Sequence, residues 1–519
     1  MGTPEKGKYP NAKIEGVEVR DLNLPGRECE LEQELASLCI GQPLTPRMIS
    51  QLKRTIFLYY KRYHHPVITV LVPEQNVSKG VLQLVVVESH VNEITAIGAH
   101  HFSNAMIKKQ VHLKPGDTIN TDILLRDVAW LNRNPFRQTN VTFAPGSKPW
   151  TTDVQLVTRD RRALRVYAGA DNTGTEFTGY TRLFTGCNWG NVFNLDHTFS
   201  FQWTTSDDLK KFNAFTGSYS APLPWRHLFN VFGGYSRVKP DIGKFFRSEG
   251  WSAQASFRYQ IFLGQTYGPL LQDINAGYDF KWTNNNLEFV DQTSVAFIET
   301  KVAQISQFSI SYHLGYNRGP HAAFFNIAYV FSPFQGWFRH NNKEAFTMLQ
   351  PGAYPIYMYA HTTLNEEYTA KYVTLFIQGN GQLSNKILLP SEQFGLGGYD
   401  TVRGYPQRIV NYDNGVCVNF EVRSPAVSVF NYISSKRWDD GLVALFFIDY
   451  GYGRPHKVEH PTHRHVDPPG LTLAGFGPGL RYKFSSYFVG RADCGFPLTP
   501  VAGRSKLDPW FYFSVIGTY

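Results

Sequence analysis

From Arg162 to the last residue, Tyr519, the chain runs as alternating segments of about ten residues separated by turns of Gly, Asn, Asp and Pro, with no convincing amphipathic helix. LRVYAGADN, TGYTRLFTGCNW, DHTFSFQWTT, FNAFTGSYSAPLP, FNVFGGYSRV and WSAQASFRYQIFL are representative. A period of two places successive side chains on opposite faces, so each segment reads as a strand with two different surfaces. About 16 such strands fit into this stretch, an even number suited to a single-chain antiparallel barrel across an outer membrane. A large soluble β-sandwich uses the same alternation, and the pattern alone leaves both open.

Composition narrows the field without closing it. With 42% hydrophobic and 15% aromatic residues among 519, the chain can bury a sizeable core and is not a disordered polymer. No uninterrupted apolar run reaches the length of a helical membrane span, and mean hydropathy is −0.29. Barrel strands need only short alternating stretches, so this value does not argue against a membrane barrel. The net charge of +9 comes from scattered Lys and Arg with no basic stripe, which excludes nucleic acid as a partner class. The five cysteines, Cys29, Cys39, Cys187, Cys417 and Cys494, have no CxxC or zinc spacing. They read as buried or lumenal thiols, with a periplasmic Cys29–Cys39 disulfide as the alternative.

No chemistry-bearing motif stands out. G-x-S-x-G, P-loop and H-E-x-x-H patterns are missing, and the pairs Glu366-Glu367 and Asp439-Asp440 are strand neighbours that point apart. His456, His460, His463 and His465 lie in a proline-rich segment and read as part of a solvated extracellular loop. The expectation is a protein with no catalytic residues, no metal and no cofactor. The opening MGTPEKGKYPNAK has no apolar core and lacks signal-peptide architecture.

After an extension over residues 1–13, the stretch 14–160 carries an internal repeat of two β-α-α-β-β units of about 75 residues, over 14–88 and 89–160. In the first, IEGVEVRDL is a predicted strand, and Leu31, Leu35 and Leu38 share a helix face. Thr45 is an N-cap followed by Pro46, with Met48, Leu52, Ile56 and Tyr59 on one face of a second helix. VITVLV and GVLQLVVVE close the unit. In the second, EITAIG precedes a short helix after Ser103 and another that Asn120 or Thr121 caps, and QTNVTFAP and TTDVQLVT close it.

The stretch LLPSEQFGLGGYDTVRGYPQ, residues 388–407, sets Arg403 on a glycine- and aromatic-flanked loop. Downstream, GLVALFFIDYGYG puts Val443, Leu445, Phe447, Asp449 and Gly451 on one strand face, with Asp449 the single charge of the run. A lone carboxylate among apolar neighbours needs a partner, and a loop arginine that can fold back onto the strand is the natural candidate.

Leu389-Pro390-Ser391-Glu392-Gln393-Phe394, Gly397-Gly398 and Val402-Arg403-Gly404-Tyr405, followed by Phe447-x-Asp449-x-Gly451, resemble the outer-membrane transporters of two-partner secretion. The resemblance implies that a long loop around 388–410 enters the lumen of a 161–519 barrel and that Arg403 there meets Asp449. The repeat resembles polypeptide-transport-associated (POTRA) domains, YYKRYHHPVITVLVPEQNVSKGVLQLVVVES most closely; His64-His65-Pro66 departs from the usual glycine at the helix end. In DPWFYFSVIGTY, Phe511, Phe513, Val515, Gly517 and Tyr519 share a face, and the aromatic end resembles the signal by which bacterial barrels are recognised for insertion, with Tyr519 in place of the usual Phe. Relatives commonly begin with a helix that plugs the barrel, which is expected here to be absent or removed.

The implied architecture is two periplasmic α+β POTRA domains followed by a transmembrane antiparallel barrel of about 16 strands in the bacterial outer membrane. The implied function is export of a secreted partner polypeptide, an adhesin or haemolysin by resemblance. Outer-membrane lipid and the barrel-assembly machinery are the other implied partners. A barrel-protein insertase is the alternative reading. A passive porin would leave the N-terminal 160 residues and the Arg403 segment without a role.

Overall fold

The computed structural model describes residues 13–20, 24–75, 81–239, 246–263, 268–290, 295–297, 302–433, 438–456, 469–501 and 503–519. It divides into two compact units, Met1–Arg161 and Arg162–Tyr519.

In the first unit, α1 (Glu28–Cys39) and α2 (Pro46–Arg62) pack through Leu31, Leu35, Leu52, Ile56, Tyr59 and Tyr60 onto β1 (Ile68–Leu71) and β2 (Val85–Glu88), an antiparallel pair. Thr45 caps α2, its Oγ1 accepting the Met48 N–H at 3.1 Å, and Pro46 occupies the first turn where no intrahelical donor is needed. The expected strand over 14–22 is not formed among the described residues 13–20, where isolated bridges alone occur at Lys13 and Ile14. The turn after α1 takes its backbone instead: Ile14 donates to the Gln42 carbonyl and accepts from Gly41 N–H, and Val19 N–H donates to Glu32 Oε1. Cys29 and Cys39 lie ten positions apart on α1, about 15 Å along its axis, out of disulfide reach, and both thiols are free.

The rest of the unit is β3 (His90–Ile97), α3 (Asn104–Lys109), α4 (Thr121–Leu131), β4 (Arg137–Pro145) and β5 (Thr151–Asp160), with strand order β3-β5-β4. The cap of α4 is Asn120, whose side chain accepts from Asp122 and Ile123 N–H. Asp160 Oδ2 accepts three backbone N–H groups, from His100, His101 and Phe102, at 2.6 to 3.0 Å, and so fixes the turn into α3. The two halves join where Thr121 N–H and Oγ1 both donate to the His64 carbonyl, just past the end of α2. His64 takes a left-handed φ of 66° there, the backbone choice that stands in place of glycine.

In the second unit, sixteen strands among the described residues close into an antiparallel barrel, from Leu164–Asp171 to Trp510–Thr518, which pair with each other. Alternation sets the two faces. Along Asp440–Arg454, Leu445, Phe447, Asp449 and Gly451 are buried while Phe446, Ile448 and Tyr450 are exposed. The last strand turns Phe511, Phe513, Val515 and Tyr519 outward and Tyr512 inward. The inward turns are not all bare: α5 (Lys343–Leu349), capped by Asn342, buries Phe346 against Ile305, Tyr357 and Leu388. At seven residues it is too short to show helical periodicity in sequence.

Candidate functional site

Between the strands Thr374–Ser384 and Asn414–Arg423 the chain leaves the wall and folds inside the barrel. Phe394–Leu396 and Val410–Tyr412 pair as a hairpin, and Phe394, Leu396, Val402 and Tyr405 pack on the wall residues Cys417 and Leu473. That apolar seat brings the segment 402–405 flat against the strands.

Arg403 lies at its centre, 2% exposed. Its Nε and Nη2 donate to Asp449 Oδ2 and Oδ1 at 2.7 and 2.8 Å, a bidentate contact, while its backbone N–H donates to the same Oδ2 at 2.9 Å. Nη1 donates to Glu421 Oε1 at 2.6 Å, and the guanidinium lies 3.6 Å over the Phe447 ring. Two neighbouring carboxylates have further arginines: Arg423 Nε donates to Glu421 Oε2 at 2.8 Å, and Arg481 and Arg491 donate to Asp493 at 2.7 Å each. Asp493 Oδ1 is 3.9 Å from Arg403 Nη1. Arg491 also stacks on Tyr399 of the loop at 3.6 Å. Burying these charges costs desolvation, which the shared partners offset; removing one partner leaves the others stranded, at about 3–5 kcal/mol.

The backbone beside Arg403 is held as firmly. Tyr512 Oη accepts from the N–H groups of Gly404 and Tyr405 and donates to the Tyr405 carbonyl at 2.5 Å. Tyr405 Oη donates to the Thr499 carbonyl and accepts Thr499 N–H. Gly404 has φ +106°, a left-handed conformation, and a Cβ there would stand 2.9 Å from Pro497 N. Across from it the wall strand has Gly475, where a Cβ would collide with the Arg403 carbonyl oxygen. The arrangement positions a loop.

The residues singled out in sequence fall as follows. Arg403 and Asp449 are in contact; Gly397, Gly398 and Gly404 all have positive φ; Val402 meets Gly451, where a Cβ would approach its Cγ2 to 2.7 Å. Phe511, Phe513 and Tyr519 are on the outer face, while Tyr512, between Phe511 and Phe513, reaches inward to Gly404 and Tyr405. Glu367 pairs with Arg423 at 3.2 Å. His456 donates its N–H to Asp413, and His460, His463 and His465 lie outside the described residues. Glu421, Asp493, Arg481, Tyr512 and Gly475 were not found from sequence. The signal for Glu421 was present: it shares a strand face with Cys417 and Asn419 and is the one carboxylate of that strand.

The family model for haemolysin secretion/activation protein ShlB/FhaC/HecB matches residues 151–482. The heme/hemopexin transporter protein HuxB of Haemophilus influenzae strain 86-028NP is 22% identical over 496 residues, covering 92% of this chain and 82% of that protein. The outer membrane transporter CdiB of Dickeya dadantii is 24% identical over 388 residues, covering 71% of this chain and 64% of the relative. Among solved structures, CdiB from Escherichia coli superposes with TM-score 0.77 at 18% identity, over 100% of this chain and 92% of that one. That last likeness is one of fold.

Proposed function

The chain belongs to the haemolysin secretion/activation family ShlB/FhaC/HecB, and from that premise we propose that it exports a partner polypeptide across the bacterial outer membrane, with residues 14–88 and 89–160 as two periplasmic POTRA domains. The observation that carries the reading is the loop folded into the barrel and gripped through Arg403, because a passive pore has no use for a movable plug held by a buried ion cluster.

The physics runs from the first unit inward. The edges of the β1-β2 pair and of the β3-β5-β4 sheet offer backbone donors and acceptors to which an unfolded chain can add as a strand. Such pairing reads backbone more than side chains, as a carrier of a long polypeptide requires. The loop must then give way within the lumen, and folding of the cargo outside opposes its return. Arg403 and Asp449 act as the lock that returns the loop to one position. Outer-membrane lipid meets the outward aromatic faces, and the face of Phe511, Phe513 and Tyr519 is the signal read by the barrel-assembly machinery.

The test is co-expression with a large secreted protein encoded beside this gene. Deleting residues 14–160 should abolish its secretion while a heat-modifiable barrel still reaches the outer membrane. Normal secretion by the truncated protein, or no such neighbouring partner, would refute the export reading and favour an insertase.

A further inference from the structure

The loop has a second charged hold, on a different part of the wall. Glu392, 5% exposed, receives Lys281 Nζ on both oxygens at 2.9 Å. Gln307 Nε2 and Tyr359 Oη donate to its Oε2 at 3.1 and 2.9 Å, and Ser391 Oγ lies 3.3 Å from Oε1. These wall partners sit on the strands Leu270–Val290, Ala303–Arg318 and Tyr357–Thr369. The side chains around Arg403 come instead from the strands Asn414–Arg423, Asp440–Arg454, Phe488–Pro497 and Trp510–Thr518. One loop is therefore tied to two arcs.

The two ties differ in kind. Arg403 is fixed through side chain and backbone, Glu421 and Asp493 beside it are fixed by other arginines, and glycines let the segment lie flat. Glu392 is fixed by a single flexible lysine, 20% exposed, and by neutral donors that can turn to other acceptors. Lys281 and Glu392 also bound a cavity of about 550 Å³ whose far wall includes Gln202, Thr216, Ser218 and Gln254. Among the described residues lining that cavity, Lys281 and Glu392 are the charged ones. The weaker tie thus stands on the loop side of the cavity.

We propose that Glu392 and Lys281 are positioning residues that form a releasable tether, whose parting, with the Arg403 cluster intact, lets the 390–393 turn move off the wall between its apolar anchors at Leu388, Leu389 and Phe394, and joins this cavity to the rest of the lumen as the path for an extended polypeptide. The path's cargo rests on the export reading; the tether does not. A wall of hydroxyls and amides suits that path because each neutral hydrogen bond it lends is weak enough to exchange as a chain slides.

The experiment uses the purified full chain in planar lipid bilayers, comparing wild type, E392Q, K281M, the double variant and K281R, each checked for heat-modifiable migration. E392Q and K281M should each raise time-averaged conductance roughly tenfold, K281R should stay near wild type, and the double variant should match either single one. Unchanged conductance in a folded E392Q or K281M overturns the tether, as does a double variant whose increase is the product of the two. If one single variant does not insert, the other with K281R decides by the same criterion. Secretion of the partner separates the two readings: the expected conductances without any export leave the tether and remove the export reading, whereas normal export with flat conductance removes the tether alone.

Discussion

The barrel has two inner arcs built on opposite principles. From Asn414 to Thr518 the inward positions carry Glu421, Arg423, Asp449, Arg481, Arg491 and Asp493, interlocked around Arg403. From Ser200 to Gln254 the cavity wall is uncharged, made of Ser, Thr, Gln, Ala and Gly with Phe201, Phe215, Phe232 and Tyr235 among them. Both are legal linings for a barrel, since period two leaves the inner face free once the outer one is apolar. The difference is in what it costs to part from each. Removing one partner of a buried ion cluster costs about 3–5 kcal/mol, whereas a neutral hydrogen bond is worth about 1 kcal/mol net. Charge is concentrated where the loop is held against the wall.

The sharpest way to break this contrast is Arg403→Ala. It strands Asp449 and Glu421 in a buried site and should loosen the loop by about 3 kcal/mol or more, lowering partner secretion and altering conductance while insertion of the barrel is largely kept. Bilayer recordings beside heat-modifiability gels would measure both. Gly475→Ala attacks the same arc without touching a charge: its methyl group meets the Arg403 carbonyl, and overpacking of this type costs about 1–3 kcal/mol. Faster hydrogen exchange at Gly404 and Tyr405, whose N–H groups rest on Tyr512, should report it.

A carboxylate outside the barrel shows the same physics on a smaller scale. Burial alone would raise the pKa of Asp160, but the N–H groups of His101, His100 and Phe102 hold it below the usual carboxylate range. A depressed folded pKa means that this stabilisation is fully present above the unfolded value of about 3.9 and is lost as pH falls through the lower folded value. Asp160→Asn should cost about 1–2 kcal/mol at neutral pH and should flatten the acid-side change in exchange at residues 100–102. The smallest effect belongs to the neutral arc. Ser218→Ala should change stability by no more than about 0.5 kcal/mol and leave loop exchange as it was; a larger change would erase the distinction between the arcs.

How much of this was legible beforehand follows the same division. Strand alternation, the even strand number and the helix caps at Thr45 and Asn120 are local signals, and the structure has the sixteen-strand barrel and both caps. Arg403 and Asp449 could be paired on paper because Asp449 was the lone charge of its strand run and Arg403 the lone cation of a glycine-rich loop. Glu392 and Lys281 could not, since Lys281 is one of many polar lumen residues and its partner is 111 positions away. Tyr512 hid in an aromatic run where its neighbours face outward. Gly475 looked like any strand glycine until the Arg403 carbonyl was seen against it. The misread strand at 14–22 had the right alternation, but the turn after α1 took its backbone partners, a competition that periodicity does not register.

The most direct measurement is a double-mutant cycle on Arg403 and Asp449, read as partner secretion and as conductance in the full-length chain. If the two side chains form one lock, Arg403→Ala, Asp449→Ala and the double variant should show nearly the same defect, because each single change already removes the shared contact. A double variant whose defect equals the sum of the two single defects in free-energy terms would mean that the residues act independently, and the lock would be contradicted.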